Sequence, residues 1–258
     1  MTDNIPTISA SKLKTYKVCG RKYQLRYLLD TRPEEYKNVA ALLGTALHKA
    51  LETIYTTHAT ESHTQKTKQG TSIFQQVMFE TLAAWEEAKY TIVAADYFTR
   101  ALKVGKDILT TYPWDLWNDY IGVEQSFTLP FYLSSHAQIP YVYITGVMDL
   151  VTPTHVIDHK STVSAPTMDE LAHDPQLLLY YWAYTQLYHK EPTIIWNHLR
   201  TNTQYTAHII DNYDEKMRQL QYDIEAMVHT QWFPRILLSD TCKTRCSFFT
   251  TCYSRTEQ

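Results

Sequence analysis

The run ITGVMDLVTPTHVIDHKS, residues 144–161, constrains the fold more than any other stretch of the chain. Its two halves are short and rich in β-branched residues, which is the composition of paired strands. Thr152-Pro153-Thr154-His155 makes a four-residue connection, with proline at the second position of a type I turn. That turn sets Val151 opposite Val156 and Asp149 opposite Asp158. Side chains alternate along a strand, so Asp158 and Lys160 share a face and His159 points away. Val147, Leu150, Val156 and Ile157 predict a largely buried hairpin, and Gly146 leaves its backbone open to close approach.

Directly opposed residues carry Cβ atoms about 5 Å apart, and like charges there repel. A divalent cation between Asp149 and Asp158 reverses the sign, and hard carboxylate oxygens suit Mg²⁺ or Mn²⁺. Lys160 adds a positive charge on the same face, able to meet a phosphate or a water. Two carboxylates, a metal and a lysine are the set that phosphodiester hydrolysis requires. The competing reading is a solvated hairpin with a surface ion pair. The cost of burying acids without partners weighs against it.

The hairpin sits in a pattern that changes after Pro113. Before it, helices are predicted over about 9–29, 39–57, 72–90 and 93–111, with Ser9 or Ser11 capping the first. Leu43, Leu47, Leu51 and Ile54 give the second its apolar face. TTHATESHTQKTKQG, residues 56–70, is polar and without periodicity, and predicts an exposed loop. After Pro113, strands are predicted over 120–133, 140–151 and 155–160. A helix over 174–190, a hairpin in TIIWNHLRT and QYTAHII, and a helix over 213–230 follow. That order implies an α/β (mixed α+β) fold, a central mixed sheet flanked by helices. No linker divides it, so one domain is expected over 1–258: helical over about 9–112, sheet over about 120–210, and a closing helix with cysteines over 213–252.

The net charge of −3 does not mark a nucleic-acid binder. Its distribution says more: Lys14, Lys17 and Arg21 have the spacing of one helix face and could meet phosphates, though a solvated face has the same spacing. No run of about 18 apolar residues occurs, and the first residues lack the apolar core of a signal peptide. A cytoplasmic protein without a membrane association is the expectation. Of four cysteines, Cys242, Cys246 and Cys252 fall within eleven residues, a clustering that core packing does not produce.

Asp149 with Asp158-His159-Lys160 resembles the core of the PD-(D/E)XK nucleases. In particular it resembles the RecB-like branch, which includes nuclease domains of recombination helicase-nucleases and CRISPR-adaptation nucleases. GTALHKALE with His48, GVEQSF with Glu124, and QLLLY with Gln176 and Tyr180 occur in the same order as in that branch. The resemblance spans residues 9 to 252. It implies that His48 and the backbone carbonyl of His159 join Asp149 and Asp158 at the metal, and that Glu124 orients a water or completes the coordination. It implies that Gln176 and Tyr180 contact the DNA strand. It also implies that Cys19, Cys242, Cys246 and Cys252 hold a [4Fe–4S] cluster, with Zn²⁺ as the alternative. The chain departs from the branch in placing three residues, Lys243, Thr244 and Arg245, between Cys242 and Cys246, where two are usual. With Arg255, Lys243 and Arg245 would extend the basic helix into a phosphate-contacting surface.

The activity implied is hydrolysis of DNA, with single-stranded ends as substrate and 20 tyrosines as possible stacking surfaces. No GxxxxGK[ST] motif is present, so unwinding would need a helicase, recombination or CRISPR partner. Two other readings stay open: a non-catalytic DNA-binding subunit, and a zinc-stapled interaction protein with an incidental hairpin match.

Overall fold

Val151 pairs with Val156 and Leu150 with Ile157, so the hairpin closes in the register that its turn predicts. The computed structural model describes residues 5–31, 36–134, 139–236, 242 and 246–253. The hairpin strands are β5 (Tyr141–Val151) and β6 (His155–Lys160). The described β6 residues do not alternate: its four central residues are all buried, as expected of a strand covered on both faces. β6 pairs in parallel with β7 (Thr193–His198), which pairs antiparallel with β8 (Thr203–Ala207). β5 also pairs with β4 (Gly122–Tyr132) and, in parallel, with the short β1 (Thr7–Ile8). The result is the mixed sheet expected from the sequence, flanked by helices.

A parallel pair needs a crossover, and α6 (Met168–Ala172) with α7 (Pro175–Tyr188) supplies it between β6 and β7. Asp174 caps α7 by accepting the Gln176 N–H at 2.7 Å, and Pro175 occupies the first turn where no amide is required. α7 then packs on β6 and β7. Capping thereby fixes the start of the helix that stands over the Asp158–Lys160 strand.

The chain forms two compact units. One comprises Met1–Glu35, Phe127–Gly146 and Asn212–Gln258; the other comprises Tyr36–Ser126 and Val147–Asp211. The second holds α3 (Val39–Thr57), α4 (His63–Glu87) and α5 (Phe98–Thr111), with β2 (Tyr36–Asn38) paired in parallel to β3 (Thr91–Val93). Leu43, Leu47, Leu51 and Ile54 of α3 are buried as their spacing predicts, in one core with Leu150 and Ile157 of the hairpin. Close approach of α4 and α5 depends on Gly105, where a Cβ would fall 2.0 Å from the buried Phe74 ring. Gly105→Ala is therefore expected to cost about 2–3 kcal/mol by overpacking. A thermal melt followed by circular dichroism checks this as a Tm lowered by about 5 °C or more.

Three expectations are corrected. Residues 56–70 are mostly not a loop, because α4 begins at His63, far earlier than 72. Ser62 and Gln65 form a capping box, Lys66 is buried against Asp115 at 3.0 Å, and Trp114 Nε1 donates to Thr67 Oγ1 at 3.0 Å. Residues 112–115 thus satisfy the polar groups that suggested a loop. The helix over 9–29 is broken. α1 (Ala10–Val18) ends at an extended Cys19, whose Sγ accepts the Lys22 N–H and caps α2 (Gly20–Tyr23), followed by one π-helical turn over Gln24–Leu28. Lys14, Lys17 and Arg21 therefore do not lie on one continuous helix. The helix expected over 93–111 begins only at Phe98, after the strand β3 and a 3₁₀ turn over Ala95–Tyr97.

In the first unit, α1 packs on α8 (Tyr213–His229), with α9 (Phe249–Tyr253) at the C-terminal end. No helix among the described residues is long and apolar enough to cross a membrane.

Candidate functional site

Beyond the Leu150–Ile157 pair, the Asp149 carboxylate takes the hairpin's next donor: Oδ2 accepts the His159 N–H at 2.7 Å. That bond holds Asp149 at the end of the paired ladder, facing α3. His48 on α3 meets it there. A carbonyl can only accept, so the 2.9 Å contact between His48 Nε2 and the His159 carbonyl puts a proton on Nε2. Nδ1 is left facing two carboxylates, Asp149 Oδ2 at 3.6 Å and Glu124 Oε1 at 3.9 Å. The His159 carbonyl, expected to reach a metal itself, orients His48 in this structure. One ligand atom each from His48, Glu124 and Asp149 lies within 4.8 Å of the others.

Glu124 reaches this cluster through an unusual backbone. Its φ is 45°, inside a strand, where a side-chain-bearing residue rarely goes. Such strain costs about 1–3 kcal/mol and gathers at functional positions. Glycine adopts this φ without penalty and alanine does not. Glu124→Gly is therefore expected to be more stable than Glu124→Ala by about 1 kcal/mol, with neither variant retaining the wild-type thermal shift on adding Mn²⁺. Differential scanning fluorimetry with and without the metal reads both effects.

Asp158 is placed differently from Asp149. It is fully buried; Oδ1 accepts from Lys160 Nζ at 2.8 Å and from Gln176 Nε2 at 3.3 Å, and Oδ2 has no protein partner. Gln176 Nε2 also donates to Tyr180 Oη at 2.7 Å, and Tyr180 Oη donates to the Val147 carbonyl. Tyr180 is 5% exposed, so its ring lies inside rather than at the surface, while Gln176 is half-buried. The His159 ring is buried beside Asn197, whose Nδ2 lies 3.0 Å from Nδ1. Asn197 on β7 was not signalled by the sequence: a buried amide one strand away has no local pattern.

Burial and then the charge of Asp158 push the Asp149 carboxyl up to about 7. Burial also raises Asp158, against the lowering effect of Lys160. For His48, burial lowers the pKa, but the nearby Glu124 and Asp149 carboxylates outweigh it and hold the imidazole above its usual range. Lys160 is likewise raised, since Asp158 and Asp149 outweigh desolvation. His159 falls well below the ordinary histidine value through burial, then through His48 and Lys160. Two buried acids held above the carboxylate range, beside a third carboxylate and a histidine, form a site whose ionised state is costly without a cation. An octahedral Mg²⁺ or Mn²⁺ brings neighbouring donors to about 3 Å apart. The unpartnered Asp158 oxygen and the His–Glu–Asp donor set both fit such an ion.

Elsewhere, Lys17 is paired with Asp223 at 2.7 Å, and Arg21 bonds the Gln24 side chain. Cys19, Cys242, Cys246 and Cys252 line one pocket. Lys243, Thr244, Arg245 and Arg255 lie outside the described residues.

The model of a family described as the PD-(D/E)XK nuclease superfamily matches residues 7–253. Among solved structures, the chain is similar to one titled "Putative exonuclease" from Eubacterium rectale. The TM-score is 0.57 and the identity 15%, over 93% of this chain and 88% of that one. At that identity the likeness shows the fold. No curated protein matches.

Proposed function

The chain belongs to the PD-(D/E)XK nuclease superfamily, and from that premise we propose that it is a metal-dependent deoxyribonuclease of the RecB-like branch, acting on the ends of single-stranded DNA. The observation that carries this reading is the convergence of His48, Glu124 and Asp149 within 4.8 Å, beside the buried Asp158–Lys160 pair. When bound, Mg²⁺ or Mn²⁺ supplies Lewis acidity at the phosphate and makes hydroxide accessible near neutral pH.

The chain's residues do the rest. Asp149, Glu124 and His48 would hold the ion, with Asp158, whose Oδ2 has no protein partner, contributing to the same site. The His159 carbonyl fixes the His48 ring, as groups behind a metal ligand commonly do. Lys160, fixed by Asp158, positions the attacking water and neutralises charge developing on the phosphate oxygens. Gln176 holds Asp158 and, half-buried, meets the DNA strand; Tyr180 holds Gln176. Lys14, Lys17 and Arg21 would offer positive charge to DNA phosphates.

The four cysteines carry a [4Fe–4S] cluster in this reading. What supports a shared centre is that all four cysteines line one pocket, and thiolate ligands suit an iron–sulfur cluster, with zinc as the alternative. Anaerobically purified protein is expected to be brown, and a colourless preparation with one zinc per chain would contradict this part. End-dependence is tested with linear and circular single-stranded DNA of one sequence. Degradation of the linear form alone is expected, and equal cutting of the circle would overturn the exonuclease assignment.

A further inference from the structure

A groove of about 470 Å³ opens directly on the His48–Glu124 contact. It is lined by Gly44, Thr45, His48, Lys49, Glu52 and Glu124. Lys49 is the one lysine or arginine among those lining residues. Its side chain is 52% exposed and its ammonium lies 2.9 Å from Glu52, one helical turn along α3. Lys160 is a poor candidate for holding a passing strand, because its ammonium is committed to the buried Asp158. A polyanion lying along the groove beside the metal site would meet Glu52 as a repelling charge, with Lys49 next to it to offset that charge.

We propose that Lys49 contacts a nucleic-acid phosphate neighbouring the one at the metal site, and that Glu52 holds it in reserve until the strand arrives. This rests on the proposed nuclease reading and identifies a positioning residue that the reading does not assign. The exchange is cheap. An exposed ion pair between residues three apart on a helix is weak, so Lys49 gives up little on leaving Glu52. What it gains is a charge-assisted bond to a phosphate and release of that phosphate's counterion. Glu52 both occupies the Lys49 ammonium in the free protein and repels the strand. Removing its charge should therefore help binding, whereas removing Lys49 should hurt it.

The experiment is fluorescence anisotropy of a labelled oligothymidylate, with Ca²⁺ in place of Mg²⁺, across a KCl series. Lys49→Ala is expected to weaken binding about tenfold. It should also reduce the slope of log K against log salt by about 0.7, the value of one single-strand phosphate contact. Glu52→Gln is expected to tighten binding, and Lys49→Ala/Glu52→Gln should lose most of that gain. A merely structural role for Lys49 would leave the salt slope unmoved. If wild type binds and Lys49→Ala binds with the same slope, or if Glu52→Gln weakens binding, the Lys49 assignment is overturned while the nuclease reading stands. Absence of binding by wild type at every salt concentration would overturn both.

Discussion

Asp149→Asn is expected to stabilise the metal-free protein at pH 8 while cutting DNA cleavage at least a thousandfold. Burial and the neighbouring Asp158 raise the Asp149 carboxyl from 3.8 to about 7. The native state therefore holds this proton more tightly than the unfolded chain does. The contribution to stability is fully present below about pH 4 and is lost as pH rises through about 7. Over that span the loss corresponds to about 4 kcal/mol, the upper bound of what the amide recovers at pH 8. The side-chain oxygen of the amide can still accept the His159 N–H, so the local fold is retained. What the amide cannot do is offer a charged ligand. Loss of about 4 kcal/mol of transition-state stabilisation is about a thousandfold in rate. Because metal binding requires the ionised carboxylate, Mn²⁺ should raise the wild-type Tm more at pH 8 than at pH 6, and raise that of Asp149→Asn little at either. Urea unfolding at the two pH values, with EDTA or Mn²⁺, reads all of these. A less stable Asp149→Asn at pH 8 would show that the carboxylate is already satisfied by the protein.

Lys160→Ala has the opposite signature. Its ammonium lies 2.8 Å from a carboxylate that is itself fully buried. Removing one member of such a pair leaves an uncompensated charge and costs about 3–5 kcal/mol. Asp158, already raised by burial, escapes part of that cost by protonating, so the destabilisation should be smaller at pH 5 than at pH 8. Cleavage should fall about a hundredfold to a thousandfold, the usual effect of deleting one stabilising donor. The Mn²⁺-induced thermal shift should persist, since a charged ammonium does not ligate a cation and the proposed ligands are His48, Glu124 and Asp149. Lys160→Arg should regain more stability than activity: a planar guanidinium can pair with Asp158 but does not present a compact charge at the same point. Loss of the Mn²⁺ shift in Lys160→Ala would contradict the separation of metal holding from phosphate handling.

How much of this was legible depended on whether the determining contacts were local. α3 and the β5–β6 hairpin follow from spacing alone, because helical periodicity and a four-residue turn are properties of adjacent residues. The same local logic gave Asp158 and Lys160 a common face, and they form an ion pair. The His–Glu–Asp cluster required residues from α3, β4 and β5 to meet, and no spacing rule places them; only the resemblance brought them together beforehand. Helix α4 was concealed because the partners that make its polar first turns tolerable, Trp114 and Asp115, lie about fifty residues away. The break at Cys19 was hidden for another reason, since a thiol capping a helix has no strong sequence signature. The positive φ of Glu124 carries no signature at all, because the strand composition around it is ordinary. The Tyr180 hydroxyl joins a buried network to the Val147 carbonyl, a partner no local spacing announces.

The most direct measurement of the central claim is cleavage of end-labelled single- and double-stranded DNA in Mg²⁺, Mn²⁺ or EDTA, comparing wild type with Asp149→Asn, Asp158→Ala and Lys160→Ala. Wild type should degrade DNA only with a divalent metal and faster on single strands, and all three variants should be inactive or nearly so. Cleavage that survives EDTA, variants that cut as well as wild type, or a wild type inactive in both metals would contradict it.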